Sequence, residues 1–272
     1  MIDIELQNKL RRKFNPEGSP LRKHQLLMLE ILKYVDTVCK KNNIEYWLSS
    51  GTCLGAIRHG GFIPWDDDVD IEMTRENFIR FQNEFAESDK YVLQTRHNDK
   101  YYPSGFAKVR LKNTEVYDSL YKYRGVFIDV FCLEKINKHS AKTFNLLFRI
   151  FGHKLYNLLK RNRKHLLRFQ VLSWLFSICK KSFYFLTSID RAISIKHSNS
   201  QTYRHTYGTG WVENTRDLSL ILPLAQASFE GILFPVPHDT DAYLRKIYGD
   251  WEELPDESEM KNSHIHHINS DK

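Results

Sequence analysis

The sequence predicts an α+β fold with a basic helical segment set into it, and three observations carry that reading. The elements run α, β, turn, β, α and then a series of strands, an order typical of an α+β body. The stretch "GVFIDVFCL" (125–133) is nearly continuous in apolar residues, as for a central strand buried on both faces. Over 138–200 the texture turns helical, with residues such as Phe144, Leu147, Phe151 and Leu155 on one side and Lys/Arg on the other.

Each element has its own signal. "SPLRKHQLLMLEILKYVDTVCKKNNI" reads as an amphipathic helix: Leu26, Leu27, Leu29, Ile31, Leu32, Val35 and Val38 recur at helical spacing between Ser19-Pro20 and Asn42-Asn43. "EYWL" (45–48) is a short strand, followed by the turn Ser49-Ser50-Gly51-Thr52 and one or two helical turns, "CLGAIRH" (53–59), ended by Gly60-Gly61. "DDVDIEM" (67–73) is the next strand, and Thr74 caps the helix that follows. Strands are expected at 91–96, 105–111, 114–120 and 125–133. After the basic segment come strands at 218–224 and 227–237, the second a tight hairpin about Gly231, and a capped helix ending at Gly249. The chain thus divides into a first core part (1–137), a basic helical insertion (138–204), and a second core part with a polar tail (205–272).

At 272 residues and 42% hydrophobic, the chain can bury a full core, and nothing suggests low complexity or global disorder. The N-terminal stretch lacks the apolar region of a secretory signal, and no apolar run reaches the ~20 residues that span a bilayer. Cys39, Cys53, Cys132 and Cys179 form no C-x-x-C pair, which argues against structural zinc and fits reduced cytosolic thiols. The net charge of +7 is unevenly placed: residues 138–204 hold fourteen Lys/Arg and one Asp, whereas the remainder is net negative.

The chemistry concentrates in "WDDDVDIEM". On a strand, alternate side chains share a face. Asp66, Asp68, Asp70 and Glu72 then point one way, and Asp67, Val69, Ile71 and Met73 the other. Two carboxylates about 7 Å apart on one face repel unless a cation lies between them, and Mg²⁺ prefers such oxygen ligands together with phosphate. A third carboxylate from an adjacent strand would complete a phosphoryl-transfer site holding two divalent ions, Mg²⁺ or Mn²⁺. Asp129 is the candidate, being a lone charge in an apolar strand. An isolated Asp-x-Asp is more often a solvated turn, because short acidic pairs are common; the Gly-Thr turn upstream and Asp129 downstream favour the metal reading.

The stretch "GTCLGAIRHGGFIPWDDDVDIEM" closely resembles the defining motif of the LicD family, related to the fukutin-type proteins. "GVFIDVF" and "FEGILFPVPHDTDAYLRKIYGDW" resemble that family's later blocks in the same order. The likeness spans roughly residues 25–134 and 215–255 and leaves the basic insertion unmatched. It implies a nucleotidyltransferase-like mixed sheet in which Gly51-Thr52 replaces a Gly-Ser turn. It also implies transfer of a phospho-group from a CDP-activated donor (CDP-choline, CDP-ribitol or CDP-glycerol) to a glycan hydroxyl, with release of CMP. Bacterial relatives suggest phosphocholine decoration of surface polysaccharide such as lipopolysaccharide, capsule or teichoic acid. The zinc-binding cysteines of some fukutin-like proteins have no counterpart here.

Physics and resemblance together assign metal binding to Asp68 and Asp70, with Asp66 accessory. Asp129 becomes the third ligand and a candidate acceptor of the hydroxyl proton. The amides of Ser50, Gly51 and Thr52 are expected to cradle phosphate. Arg58 and His59 either reach the diphosphate or form a solvated helix end; Lys108 and Arg110, sharing a strand face, either line the same cleft or are ordinary strand charges. Asp67 is expected to pair locally, Trp65 to act as a structural wedge, and "HIHH" (264–267) to be a solvated tail.

The basic insertion has several uses open to it: an anionic membrane surface, nucleic acid, an anionic or lipid-linked glycan acceptor, or a merely solvated basic face. Membrane contact ranks above nucleic acid, placing the protein in the cytoplasm or peripherally on the inner face of the membrane. The rival functions are a nucleotidyltransferase that releases pyrophosphate from an NTP, and a non-catalytic protein acting through 138–204.

Overall fold

The computed structural model describes residues 2–116, 119–197, 202–210 and 215–261. Two helices open the chain. The first, α1 (Ile4–Phe14), is capped by the Asp3 carboxylate and adds a helix to those the sequence predicted. The second, α2 (Pro20–Lys41), begins as expected with Ser19 accepting the Arg22 N–H and Pro20 in the first turn. Its buried stripe runs through Leu21, Met28, Ile31, Leu32, Val35 and Cys39, whereas Leu26, expected inside, is 42% exposed.

Strand β1 (Trp47–Leu48) leads into α3 (Ser50–Leu54), which widens into a π-helical turn over Gly55–His59 and stops at Gly60 with φ 67°. Strand β2 (Asp70–Thr74) starts later than its alternation suggested. Asp66 caps a turn on the Ile63 carbonyl, and the Gln25 amide donates to the Asp66 carbonyl at 2.8 Å, so 66–69 are held outside the ladder. Helix α4 (Arg75–Glu84) follows, capped by Thr74, and then β3 (Tyr91–Gln94), β4 (Ala107–Leu111) and β5 (Phe127–Glu134). The strand expected at 114–120 is absent among its described residues. The Thr114 hydroxyl donates to the Leu111 carbonyl and accepts the Val126 N–H, which closes a local turn instead.

The central sheet has the order β1-β2-β5-β4-β3. Only the β2–β5 pair within that path is parallel; α4, β3 and β4 form the connection between them. Strand β5 is therefore central, as its apolar run required. Where β4 stops pairing, β6 (Thr202–His205) takes over against Leu133 and Glu134, and β7 (Thr215–Asp217) pairs with β6.

Between β5 and β6 the chain forms α5 (Lys138–Phe148), a π-helical stretch (Arg149–Leu155), α6 (Tyr156–Arg161) and the long α7 (Leu166–His197). These helices close over a second apolar cluster, including Phe148, Phe151, Leu159, Phe176 and Phe183, which is distinct from the core under the sheet. The strand expected at 218–224 is instead a helical turn, α8 (Leu218–Ile221), because the Asp217 carboxylate caps the Ser219 N–H. The hairpin is as read: β8 (Ala225–Phe229) and β9 (Ile232–Val236) turn through Glu230 and Gly231, both at positive φ. Helix α9 (Thr240–Tyr248) ends at Gly249 with φ 71°. No described helix is long and apolar enough to cross a membrane. The "HIHH" run lies outside the described residues.

Candidate functional site

Sheet register brings the acidic residues together. In the parallel pair Asp70 lies opposite Asp129, and across the antiparallel β4–β5 pair Lys108 lies opposite Asp129. Asp66 and Asp68 come from the irregular segment just ahead of β2. Burial along the segment alternates even without strand geometry: Asp67 and Val69 are buried, whereas Asp66, Asp68 and Asp70 are half-buried. The carboxylates are close enough to interact strongly. Burial raises the Asp70 carboxyl well above its ordinary range, reinforced by repulsion from Asp68, Asp129 and Asp66 and partly offset by Lys108. Asp66 is raised in the same way, by burial and then by Asp68 and Asp67. Lys108 forms an ion pair with Asp129 and sits 3.6 Å from the centre of the Phe127 ring.

Among the described residues, no three His, Cys, Asp or Glu side chains converge as a ready-made ligand set. The donor chemistry nevertheless suits a hard divalent cation: crowded carboxylate oxygens with a single lysine among them. An added cation would relieve the repulsion that now disfavours ionisation of Asp66 and Asp70.

The turn before the acidic segment is tied to its strand. The Ser49 N–H donates to the Asp70 carbonyl at 3.0 Å, and the Asp70 N–H donates to the Thr52 hydroxyl at 2.8 Å. Gly51 approaches the cluster closely: a Cβ there would lie 3.0 Å from an Asp66 carboxylate oxygen and 4.0 Å from the Tyr248 hydroxyl, so a larger residue would have to push the Asp66 side chain aside. Tyr248 completes the rim. Its hydroxyl is pushed above the usual phenol range by burial and then by Asp70, Asp66 and Asp68. The first-turn amides of a helix have no intrahelical partner, and Ser49 gives α3 no side-chain cap. The Ser50 amide is the exception, because it donates to the Tyr243 hydroxyl at 3.3 Å. The phosphate cradle expected from three amides therefore reduces to Gly51 and Thr52.

Three of the expected donor-binding cations are committed elsewhere. Arg58 is buried and donates to the carbonyls of Trp251 and Glu253 at 2.7 and 2.8 Å, clamping the C-terminal segment. His59 is buried against Trp65 and shares a hydrogen bond with Gln7 at 2.7 Å. Burial, then the charges of Arg58 and Arg11, lower its pKa to about 3, so the ring is neutral at physiological pH. Arg110, fully buried, donates to Gln94 at 2.5 Å and to the Gly125 carbonyl at 2.6 Å. A basic side chain beside two glycines looks available in sequence; here a neighbouring segment folds over it. Of that group, Lys108 alone stands among the carboxylates.

A second carboxylate centre escaped the sequence reading. Glu72, two residues beyond Asp70 on the same strand face, is fully buried. It accepts hydrogen bonds from Arg216 at 2.9 Å, Trp47 at 3.0 Å and Tyr243 at 3.3 Å, and bonds His205 at 2.8 Å. Burial pushes its pKa up, but Arg216 and His205 outweigh burial and hold it well below the ordinary carboxylate range. Tyr243 carries this centre to the turn, since its hydroxyl also bonds Ser49 at 3.1 Å. Its partners come from β1, β6, β7 and α9, and no spacing rule selects them.

Residues 43–154 match the model of the LicD/FKTN/FKRP nucleotidyltransferase domain. Along nearly its whole length the chain resembles the lipopolysaccharide cholinephosphotransferase LicD of Haemophilus influenzae. The two are 28% identical over 267 residues, which is 90% of this chain and 96% of that protein. A shorter likeness, 46% over 48 residues, links it to the human ribitol 5-phosphate transferase FKRP, covering 18% of this chain and 10% of that protein. An uncharacterized protein of Rickettsia typhi is 40% identical over 79 residues, 29% of this chain and 26% of its own. The acidic cluster, the Gly51 turn and Lys108 all lie inside residues 43–154, the stretch that matches the LicD/FKTN/FKRP nucleotidyltransferase domain.

Proposed function

We propose that this protein transfers a phospho-group, phosphocholine before ribitol or glycerol phosphate, from a CDP-activated donor to a hydroxyl of a surface or lipid-linked glycan. The observation that carries the reading is the parallel register of Asp70 with Asp129, with Asp66 and Asp68 crowding the same pair. The preference for phosphocholine follows the relative matched along most of its length, a cholinephosphotransferase; the ribitol phosphate relative is matched over a tenth of its own.

Asp68, Asp70 and Asp129, with Asp66 accessory, would hold Mg²⁺ or Mn²⁺. Such ions, when bound, supply neutralisation of the donor's diphosphate. The chain's own groups have distinct tasks. The Gly51 and Thr52 amides orient phosphate oxygens, and Lys108 adds a positive charge beside Asp129. The acceptor oxygen attacks the distal phosphorus, the bond from that phosphorus to the CMP oxygen breaks, and the hydroxyl proton passes to Asp129.

The test is to incubate purified protein and Mg²⁺ with CDP-choline, CDP-ribitol, CDP-glycerol or CTP, each with crude glycan acceptor. CMP released from CDP-choline is the expected product. Pyrophosphate from CTP without CMP from any CDP-donor would make it an NTP-dependent nucleotidyltransferase. No turnover of any donor would leave the non-catalytic reading in its place.

A further inference from the structure

The long helix α7 carries two opposed apolar faces, and only one of them is covered. Phe176 and Phe183 point inward and are buried in the second apolar cluster. On the other side Leu167, Val171, Trp174, Ile178, Phe185 and Ile189 recur at steps of three, four and seven residues and are 40% to 77% exposed. At 1.5 Å per residue this stripe is about 33 Å long. Exposed apolar surface of that extent is unusual on a protein face that meets only water.

Charge decides what covers it. The segment 138–204 holds fourteen basic residues and one acid. That acid, Asp190, is half-buried and engaged with Ser140 at 2.7 Å and with the Tyr207 hydroxyl, so it does not offset the outer charge. Arg161, Lys164 and Arg168 are exposed at the N-terminal end of the stripe, and Lys181 is exposed between Ile178 and Phe185. A second copy seated on this face would set one strongly positive surface against another. Nucleic acid would satisfy the charge but leave the aliphatic stripe in water. An anionic lipid surface satisfies both: basic groups at the phosphate headgroups and the apolar stripe at the acyl boundary.

We propose that α7 docks its outer face in the plane of an anionic bilayer, holding the protein on the membrane surface without crossing it. The inference stands on α7 and the basic residues just before it, and is independent of the phosphotransfer reading.

The full chain should sediment with vesicles of equal parts phosphatidylcholine and phosphatidylglycerol, and bind phosphatidylcholine vesicles at least about tenfold more weakly. Val171→Glu combined with Trp174→Glu, both at exposed positions, should weaken binding to the anionic vesicles by about tenfold or more with an unchanged circular dichroism spectrum. If that pair misfolds, Arg161→Gln with Lys164→Gln should give a smaller loss that added salt does not deepen. Failure to bind anionic vesicles would overturn the proposal. So would equal binding by the folded stripe variant, or a wild-type dimer that the variant dissociates while vesicle binding is unaffected.

Discussion

Asp70 and Glu72 sit two residues apart on one strand, and their surroundings are opposite. Glu72 has a guanidinium, an imidazole, an indole N–H and a phenol around one carboxylate. Asp70 has three other aspartates near it and one lysine, already paired with Asp129. A folding chain gains from the first arrangement and loses from the second. The first therefore belongs to the architecture, joining β1, β2, β6, β7 and α9 beside the Ser49–Gly51 turn. The second holds the carboxyl groups of Asp66 and Asp70 well above their ordinary range, with Lys108 only partly offsetting the crowding at Asp70. Crowded like charge marks one end of the strand; full satisfaction two residues later marks the other.

Breaking the satisfied centre should have the largest effect. Glu72→Ala strands Arg216 in a buried site, and removing one member of such a pair is expected to destabilise the fold by about 3–5 kcal/mol. Urea unfolding measures this, and a loss under about 1 kcal/mol would mean that the centre is not structural.

Asp70→Asn should act in the reverse sense. Activity is expected to fall by about two to three orders of magnitude, while the thermal midpoint in metal-free buffer rises because repulsion is removed. A lowered midpoint with retained activity would erase the contrast between the two centres. Millimolar Mg²⁺ should raise the midpoint of the wild type and leave the Asp70→Asn midpoint nearly unchanged.

His59 sharpens the comparison through its pH dependence, as a buried, partnered group in the π-helical turn. Its pKa is lowered from 6.5 to about 3. The folded state then binds fewer protons than the unfolded chain, so its contribution is complete above pH 6.5 and is lost progressively as pH falls toward 3. Stability measured across that window should decline with falling pH, and His59→Gln should flatten the decline. An unchanged slope in the variant would assign the acid loss to other groups.

Much of this was legible along the chain. The apolar run of β5 with its single Asp129, the cap and proline of α2, and the Gly231 hairpin are local patterns, and local patterns survive folding. The separation of Asp66, Asp68 and Asp70 from Asp67 was also legible, although its basis differs: backbone held by Gln25 and Ile63 keeps the alternation without a strand at 66–69. Arg58, His59 and Arg110 were misplaced because their fates depend on distant carbonyls and amides, those of Trp251, Glu253, Gln7 and Gln94. Glu72 was passed over for the same reason.

By itself, then, the sequence picked out the candidate residues: a Gly-Thr turn, a set of aspartates with period two, and one charge in a buried strand. Periodicity and turn propensity act over a few residues, so they can be read from neighbours. Tertiary structure alone decided which charges gather beside the Gly51 turn and which are spent on distant partners in the fold. That choice rests on register and packing between distant segments, as with Arg58 and Glu253, 195 positions apart, and a buried charge takes whichever partner the fold brings to it.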